Sequence, residues 1–242
     1  MRQHTDSTVK VLAFDVFGTV VDWHGSIVRE VRALHPHIDA NAFALAWRSG
    51  YQPAMQRVRS GKLPWTPIDK LNRVILNALL PRFGLSHLDE CAREHLNQVW
   101  QRLDPWSEAR EGLQQLKRHY IITPLSNGNI GLLTHMAKRA GLPWDCILSA
   151  DVFRAFKPDP ATYLGVANVF RLTPHEVMLV AAHQDDLDAA KACGLQTAYI
   201  ERPLEFGEHQ VKDVTGNAQN NVHATSLVDL ARQLQDLSAR TP

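Results

Sequence analysis

The stretch VLAFDVFGTVVDW, residues 11–23, carries a single acid within a strongly apolar run. The run from Val9 to Val16 ends near Gly18, as is typical of a strand buried on both faces of a parallel sheet. Asp15 therefore lies at the carboxyl end of a predicted strand, and Phe17, rather than a second acid, follows two places later. Ligands of parallel α/β sheets bind beyond the carboxyl ends of the strands, so Asp15 is a candidate functional residue.

Four further apolar runs predict strands of the same kind: Tyr120–Ser126, Cys146–Asp151, Glu176–Ala182 and Thr197–Arg202. Helical stretches separate them, and Thr173 to Glu176 has the spacing of a helix capping box. Alternating strands and helices predict an α/β fold, a doubly wound parallel sheet with a Rossmann-like core. The polar stretch Gly216–Asn221 is predicted to be a loop before a last helix.

A block of consecutive helices interrupts this alternation directly after the first strand. Helices are predicted over residues 26–34, 40–60, 67–80 and 88–103. We therefore predict an inserted helical cap at residues 25–103 and a catalytic core formed by residues 1–24 and 104–242.

Composition and charge narrow the choice of partners. The chain has 242 residues, of which 45% are hydrophobic, with 26 Lys and Arg against 25 Asp and Glu. This balance argues against nucleic acid as a partner, and no apolar stretch approaches the roughly 20 residues of a membrane span. The three cysteines have no CxxC spacing, and the first residues contain no apolar run typical of a signal peptide. A soluble, cytoplasmic protein is the resulting expectation.

Polar side chains follow several of the predicted strands. Ser126 and Asn127 end the second strand, Lys157 follows the third, and His183, Asp185 and Asp186 follow the fourth. Each of these alone could do no more than cap a helix or a turn. Their order along the chain is a more specific signal of a functional site: an acid, a hydroxyl, an amine and further acids. The ends of parallel strands meet at one edge of the sheet, so these groups would converge there.

The segments DVFGTVVD, LSNG, FKPDPATY and AAHQDDLDAAKACG resemble the four ordered motifs of the haloacid dehalogenase superfamily. Within it, the chain looks most like the type II 2-haloacid dehalogenases. The resemblance implies hydrolysis of short 2-haloalkanoic acids to 2-hydroxy acids and halide through an aspartyl ester. It implies neither a cofactor nor a metal ion, and it suggests a homodimer.

The resemblance assigns the chemistry to residues at the strand ends. Asp15 would be the nucleophile, and Lys157 would hold its carboxylate ionised. Asp186, favoured over Asp185, would orient Lys157 or position water, and His183 would be either the base for that water or a structural histidine. Ser126 and Asn127 would donate to the substrate carboxylate or the oxyanion, or form a turn.

The remaining candidates concern the leaving group. Phosphatases of the superfamily carry an acid at the position of Phe17, and a halide needs no proton in order to leave. Arg48, on the predicted cap, would bind the halide. Trp47, Tyr51 and Trp65 would line an apolar pocket or pack the cap core, and Trp23 would do either.

Two alternatives stay open from the sequence. A magnesium-dependent phosphatase or phosphonatase of the same superfamily would use Asp15, Asp185 and Asp186 as metal ligands. A non-catalytic binding protein on this fold would be expected to lack Asp15, Ser126 or Lys157, all of which are present.

Overall fold

The computed structural model describes residues 9–238 of the chain. Its strands are β1 Val11–Phe14, β2 Val21–Asp22, β3 Asp104–Pro105, β4 Ile121–Ser126, β5 Leu148–Ser149, β6 Val177–Ala181, β7 Gln196–Ile200 and β8 Val222–Ala224. Within the described residues, six strands form one sheet in the order β5-β4-β1-β6-β7-β8, and every pairing is parallel. The chain leaves β1 toward β4 and later returns to its other side at β6, so the carboxyl end of β1 lies where the strand order reverses. The predicted doubly wound parallel sheet is confirmed.

The helical block predicted after the first strand is present as an insertion. Its helices are α1 Trp23–Leu34, α2 Ala40–Ser49, α3 Tyr51–Arg59, α4 Ile68–Leu79 and α5 Glu90–Asn97. β2 and β3 enclose this block and pair in antiparallel fashion, so the chain leaves and re-enters the core at one place. Asp22 fixes the start of α1, because its side chain accepts a hydrogen bond from the Gly25 amide at 2.8 Å.

The stretch 40–60, predicted as one helix, consists of α2 and α3, which are separated at Gly50. Pro53 has no amide hydrogen, so the carbonyl of Ser49 lacks its usual helical partner and the helix is interrupted. Gly50 also packs closely on α4, since a Cβ at this position would lie 2.5 Å from Ile75 Cγ2.

The core helices are α6 Ala109–Leu116, α7 Ile130–Ala140, α8 Ala150–Phe153, α9 Pro160–Phe170, α10 Gln184–Ala192 and α11 Leu227–Ser238. The predicted capping box is confirmed: Thr173 and Glu176 bond reciprocally at a short 3₁₀ helix. The short strand β8 was missed. It follows the predicted polar loop, and its alternation of buried Val222 and Ala224 with exposed His223 is too brief to stand out in sequence. In residues 9–238 we find no helix with the length and apolar character needed to cross a bilayer.

Candidate active site

The turn after β1 positions Asp15 at the centre of the sheet edge. Asp15 is 7% exposed, and its amide donates to the Val180 carbonyl at 3.0 Å, which extends the parallel pairing by one bond. The chain then turns at Gly18, whose φ of +88° is costly for any other residue. This turn brings the Thr19 hydroxyl back to donate to Asp15 Oδ2 at 2.7 Å. The same hydroxyl accepts from the Ala182 amide at 2.9 Å, so β1 and β6 jointly hold the carboxylate.

Lys157 is the cation closest to this carboxylate. Its side chain is buried, at 6% exposure, and Nζ lies 2.9 Å from Asp15 Oδ1 and 2.5 Å from Asp186 Oδ2. Burial alone would raise the pKa of Asp15, but the charge of Lys157 and a hydrogen bond from His183 hold it well below its usual range. Burial would lower the pKa of Lys157, and Asp15 with Asp186 raises it instead. The pair is therefore charged at neutral pH.

Asp186 occupies the far side of Lys157. Its Oδ1 accepts a hydrogen bond from the Tyr163 hydroxyl at 2.6 Å, and its Oδ2 accepts from Lys157. Burial, together with the nearby charge of Asp15, raises the pKa of Asp186 despite the attraction of Lys157. Burial and the charge of Asp186 also raise the pKa of Tyr163, so the phenol keeps its proton and remains a donor. Tyr163 thus orients Asp186, and Asp186 orients Lys157.

His183 connects Asp15 to a second buried acid, Glu205. Its Nδ1 lies 3.0 Å from Asp15 Oδ2, and its Nε2 lies 2.7 Å from Glu205 Oε1. Burial alone would lower the pKa of His183, but Glu205 and Asp15 raise it to about 9. Burial would raise the pKa of Glu205, but His183 and Lys212 lower it to about 2. His183 is therefore an imidazolium at neutral pH, with both ring nitrogens donating.

Glu205 was not identified from the sequence. It is fully buried and also accepts from Lys212 Nζ at 2.6 Å and from the Trp23 indole at 3.3 Å. The loop that carries it, residues 202–212, closes on itself through a hydrogen bond from the Lys212 amide to the Pro203 carbonyl at 2.8 Å. The loop follows β7, so the strand-end argument applies to this region, but it does not distinguish Glu205 from Glu201 or Glu208. Trp23, which was left between two roles, is thus a hydrogen-bond partner of Glu205.

The cap contributes a cation and two aromatic rings. The Arg48 guanidinium lies 4.2 Å from the centre of the Tyr51 ring and 5.6 Å from that of Trp23. Phe17 meets the Tyr51 ring edge to face at 6.3 Å. Among the described residues, Arg48 Nη1 is buried without a hydrogen-bond partner. A buried guanidinium N–H that lacks an acceptor is a site suited to an anion.

The core and cap groups surround one pocket of about 150 Å³. It is lined by Asp15, Phe17, Arg48, Tyr51, Gln52, Asn127, Lys157, Pro158, His183, Asp185 and Asp186. Most of the residues selected from the sequence are therefore brought together here. Asp185 lies at the exposed side of the lining, whereas Asp186 is held against Lys157.

Three selected residues do not line this pocket. Ser126 is buried in the turn after β4, where its hydroxyl accepts from the Gly128 amide at 3.0 Å. Trp47 lies in the interior of the cap, and its indole donates to the Asn72 carbonyl at 3.0 Å. Trp65 stacks on Phe156 with ring centres 4.7 Å apart, which attaches the cap to the core. Of the two roles that the sequence leaves open, Trp47 has the packing role within the cap, whereas Trp65 lies outside the pocket lining and packs against the core.

The site does not fit a divalent cation. The Lys157 ammonium occupies the position between Asp15 and Asp186 that a metal ion bridging the two acids would take. The other oxygens of these two carboxylates accept hydrogen bonds from Thr19, His183 and Tyr163. In residues 9–238, no group of three or more His, Cys, Asp or Glu side chains is arranged to hold a metal ion.

Comparison with known proteins gives a consistent result. The L-2-haloacid dehalogenase PA0810 is 45% identical, with a TM-score of 0.89, over 93% of this chain and 99% of that one. The defluorinating L-2-haloacid dehalogenase Rha0230 is 43% identical, with a TM-score of 0.90, over 97% of this chain and 100% of that one. The L-2-haloacid dehalogenase of Xanthobacter autotrophicus, solved with chloropropionic acid covalently bound, is 26% identical, with a TM-score of 0.80, over 94% and 98% of the two chains.

The model of one protein family covers most of the chain. The haloacid dehalogenase-like hydrolase family matches residues 9–194, which include Asp15, Lys157, His183 and Asp186. With this match and a buried, ionised aspartate at the switch point of a capped Rossmann-like sheet, the chain belongs to the haloacid dehalogenase-like hydrolases.

Proposed function

We propose that this protein is a hydrolytic dehalogenase that converts short 2-haloalkanoic acids to 2-hydroxy acids and halide. The observation that carries the proposal is the pairing of an ionised Asp15 with an unpartnered Arg48 N–H in one small pocket. A pocket of about 150 Å³ is large enough for a small molecule of up to about six carbons, which includes short 2-haloalkanoic acids. The similar enzymes named above are 2-haloacid dehalogenases, and one of them holds chloropropionic acid covalently.

In the first half-reaction, a carboxylate oxygen of Asp15 attacks C2 of the substrate. The carbon–halogen bond breaks, its electron pair leaves with the halide, and an aspartyl ester forms. Lys157 keeps Asp15 ionised before the attack, and Arg48 binds the anion that leaves. Phe17 replaces an acid that this leaving group does not need, since a halide departs without a proton.

In the second half-reaction, water attacks the ester carbonyl and His183 acts as the base. Esterification removes the negative charge of Asp15, one of the two charges that hold a proton on His183, so the pKa of His183 falls. Once Nδ1 has released its proton to solvent, it accepts one from the attacking water, while Nε2 still donates to Glu205. Lys157 donates to Oδ1 of Asp15 and Thr19 to Oδ2, so whichever oxygen forms the ester, a donor is in place to stabilise the oxyanion that develops on the other. The bond between the acyl carbon of Asp15 and the ester oxygen then breaks, and the leaving alkoxide takes the second proton of the attacking water. The products are the 2-hydroxy acid, halide and one proton, and Asp15 is regenerated.

The phosphatase alternative has less support. Phe17 provides no acid for an alcohol leaving group, and the carboxylates that would hold magnesium are engaged by Lys157, Tyr163 and His183. We expect halide release to continue in the presence of EDTA. Loss of activity with the chelator, restored by magnesium, would favour the phosphatase.

The defining experiment measures halide release from 2-chloropropionate and haloacetates, with a chromogenic phosphate ester as the alternative substrate. We expect halide from the first group, no phosphate from the second, and no turnover by Asp15→Asn. A single turnover in heavy-oxygen water should place label in the Asp15 carboxylate. Label found only in the hydroxy acid would exclude the ester and indicate direct attack by water.

Several other aspects rest on the sequence and remain proposals. We infer a cytoplasmic protein that does not bind nucleic acid, supported by balanced charge and by cysteines that are free in the described structure. We infer that residues 25–103 form the cap domain, supported by the pairing of β2 with β3. A homodimer is testable by light scattering coupled to size-exclusion chromatography.

A further inference from the structure

Gln52 lines the active-site pocket and takes no part in the two half-reactions described above. It lies on α3 of the cap, is exposed at the rim of the pocket, and faces the same space as Asp15 and Lys157. Its side-chain oxygen accepts a hydrogen bond from Arg59 Nη2 at 3.3 Å. Because its oxygen is engaged in this way, the side-chain NH₂ group of Gln52 is left as a donor at the pocket rim.

Arg59 is fixed beside Gln52 because its three side-chain nitrogens all donate hydrogen bonds. Its Nε donates to Gln56 Oε1 at 3.0 Å, one helical turn from Gln52. Its Nη1 donates to the main-chain carbonyl of Lys157 at 2.9 Å, which is a bond from the cap to the core. Through Arg59, the orientation of the Gln52 side chain therefore depends on the backbone of Lys157, the lysine that contacts Asp15.

A second amide in the pocket is arranged in the same way. Asn127 Oδ1 accepts from the Lys157 main-chain amide at 2.8 Å, so its side-chain N–H groups are left as donors. Asn127 and Gln52 thus approach the pocket from the core and from the cap, and both are fixed through the Lys157 backbone. In both amides the oxygen is already engaged, and the N–H groups are left as donors.

The substrate of the proposed reaction carries a carboxylate that needs donors away from the halogen. The Lys157 ammonium is shared between Asp15 and Asp186, and Arg48 is assigned to the leaving group. We propose that Gln52 binds the substrate carboxylate together with Asn127, and that Arg59 is the positioning residue that turns the Gln52 amide toward it. This inference rests on the proposed function and names a determinant of its specificity for acids.

The test is the change Gln52→Glu, which replaces the two donors with a carboxylate. We expect the KM for 2-chloropropionate to rise about tenfold or more, as for loss of a hydrogen bond to a charged group with added repulsion, while kcat changes far less. Gln56→Glu is the matched control. It makes the same charge change one helical turn away and outside the pocket lining, and its carboxylate still accepts from Arg59 Nε, so the contacts of Arg59 are kept. We expect it to leave KM unchanged.

Two further variants separate the role of Gln52 from effects on folding. Gln52→Met removes the donors without adding charge and should raise KM less than Gln52→Glu does. Arg59→Met should raise KM in the wild type and add little in Gln52→Met, because the amide that it orients is already gone. Melting temperatures are measured for all variants.

Equal KM values for wild type, Gln52→Glu and Gln52→Met would overturn the proposal, as would equal effects of Gln52→Glu and Gln56→Glu. Calorimetric binding of lactate, the 2-hydroxy acid product from 2-chloropropionate, gives an independent reading. If the wild type releases no halide, the proposed function fails. Weaker binding of lactate by Gln52→Glu than by Gln56→Glu would then still support the carboxylate site, and equal binding would reject it.

Discussion

The core and cap sides of the pocket differ in how fully their polar groups are paired. On the core side, both oxygens of Asp15 and of Asp186 accept hydrogen bonds from neighbouring side chains. On the cap side, Arg48 lies against the rings of Tyr51 and Trp23 with Nη1 unpartnered. The core side is therefore organised before a substrate arrives, whereas the cap side keeps a buried donor free for an anion.

This difference fits what each side would do in the proposed reaction. Charges on the core side must be aimed and desolvated, and a buried charge is tolerated only when it is paired and hydrogen-bonded. The cap side must receive a charge that exists only after the carbon–halogen bond begins to break. A guanidinium suits this task because it is permanently charged and weakly hydrated. An interaction that strengthens as the bond breaks lowers the barrier rather than only tightening binding.

The largest expected effect disturbs the paired core side at Glu205. Glu205→Gln removes the charge that keeps Nε2 of His183 donating, so hydrolysis of the ester should slow by about a hundredfold or more. Alkylation of Asp15 should continue, giving a burst of one halide per site and an increase in protein mass. Quenched-flow halide assays and intact mass spectrometry measure both.

Glu201→Gln is the control for this variant, since Glu201 also pairs with a histidine, His223, at 2.8 Å on the surface. It should turn over normally. Steady turnover by Glu205→Gln without a burst would show that His183 does not depend on Glu205.

The next effect weakens the anion site on the cap. Arg48→Lys keeps the charge but loses the planar set of donors, and loss of one preorganised donor typically costs about 2.7–4 kcal/mol, less for this conservative change. Both kcat and KM should worsen, more for fluoroacetate than for chloroacetate, because fluoride is small and strongly hydrated. Kinetics on both substrates, with melting as a check on folding, measure the effect.

Arg57→Lys, on the exposed surface of α3, is the matched control and should leave kcat and KM unchanged. An unchanged kcat for Arg48→Lys on both substrates would place the halide elsewhere.

A smaller effect concerns stability and the charge of His183. Its pKa is raised to about 9 in the folded protein, against an ordinary value of 6.5, so the fold favours the protonated form. The resulting stabilisation is complete below pH 6.5 and is lost as the pH rises through about 9. The melting temperature of the wild type should therefore fall toward that of His183→Gln over this interval. A constant difference between the two proteins from pH 6 to about 10 would contradict the raised pKa.

The smallest effect concerns the rim. Asp185 lines the pocket from its exposed side and repels an anionic substrate. Asp185→Asn should lower KM by about two- to threefold at low salt, and the gain should shrink as ionic strength rises. Asp188→Asn, on the same helix but outside the pocket lining, should leave KM unchanged. A KM that does not respond to Asp185→Asn would show that the carboxylate binds away from this rim.

The fold and the core side of the pocket were largely accessible from the sequence, because topology alone brings the ends of parallel strands together. Asp15, Lys157 and Asp186 were found in this way. Cap residues were harder to predict, because helical spacing shows which side chains share a face but not what that face packs against. Arg48 and Tyr51 face the pocket, whereas Trp47 and Trp65, from the same region, pack elsewhere.

Two other differences had signals in the sequence. Pro53 indicates the break between α2 and α3, and Glu205 follows β7, where the strand-end argument applies. The irregular loop 202–212 carries no periodic pattern, so the burial of Glu205 follows only from tertiary contacts.

The position of the loop 202–212 affects how the two half-reactions can change between relatives. The family match ends at residue 194, and Glu205 and Lys212 lie beyond it. In the proposed reaction, the groups that form the ester lie at the strand ends and on the cap, while the support for the water-activating histidine comes from a later, separate loop. Changes within residues 202–212 would therefore alter hydrolysis of the ester while leaving in place the groups that form it.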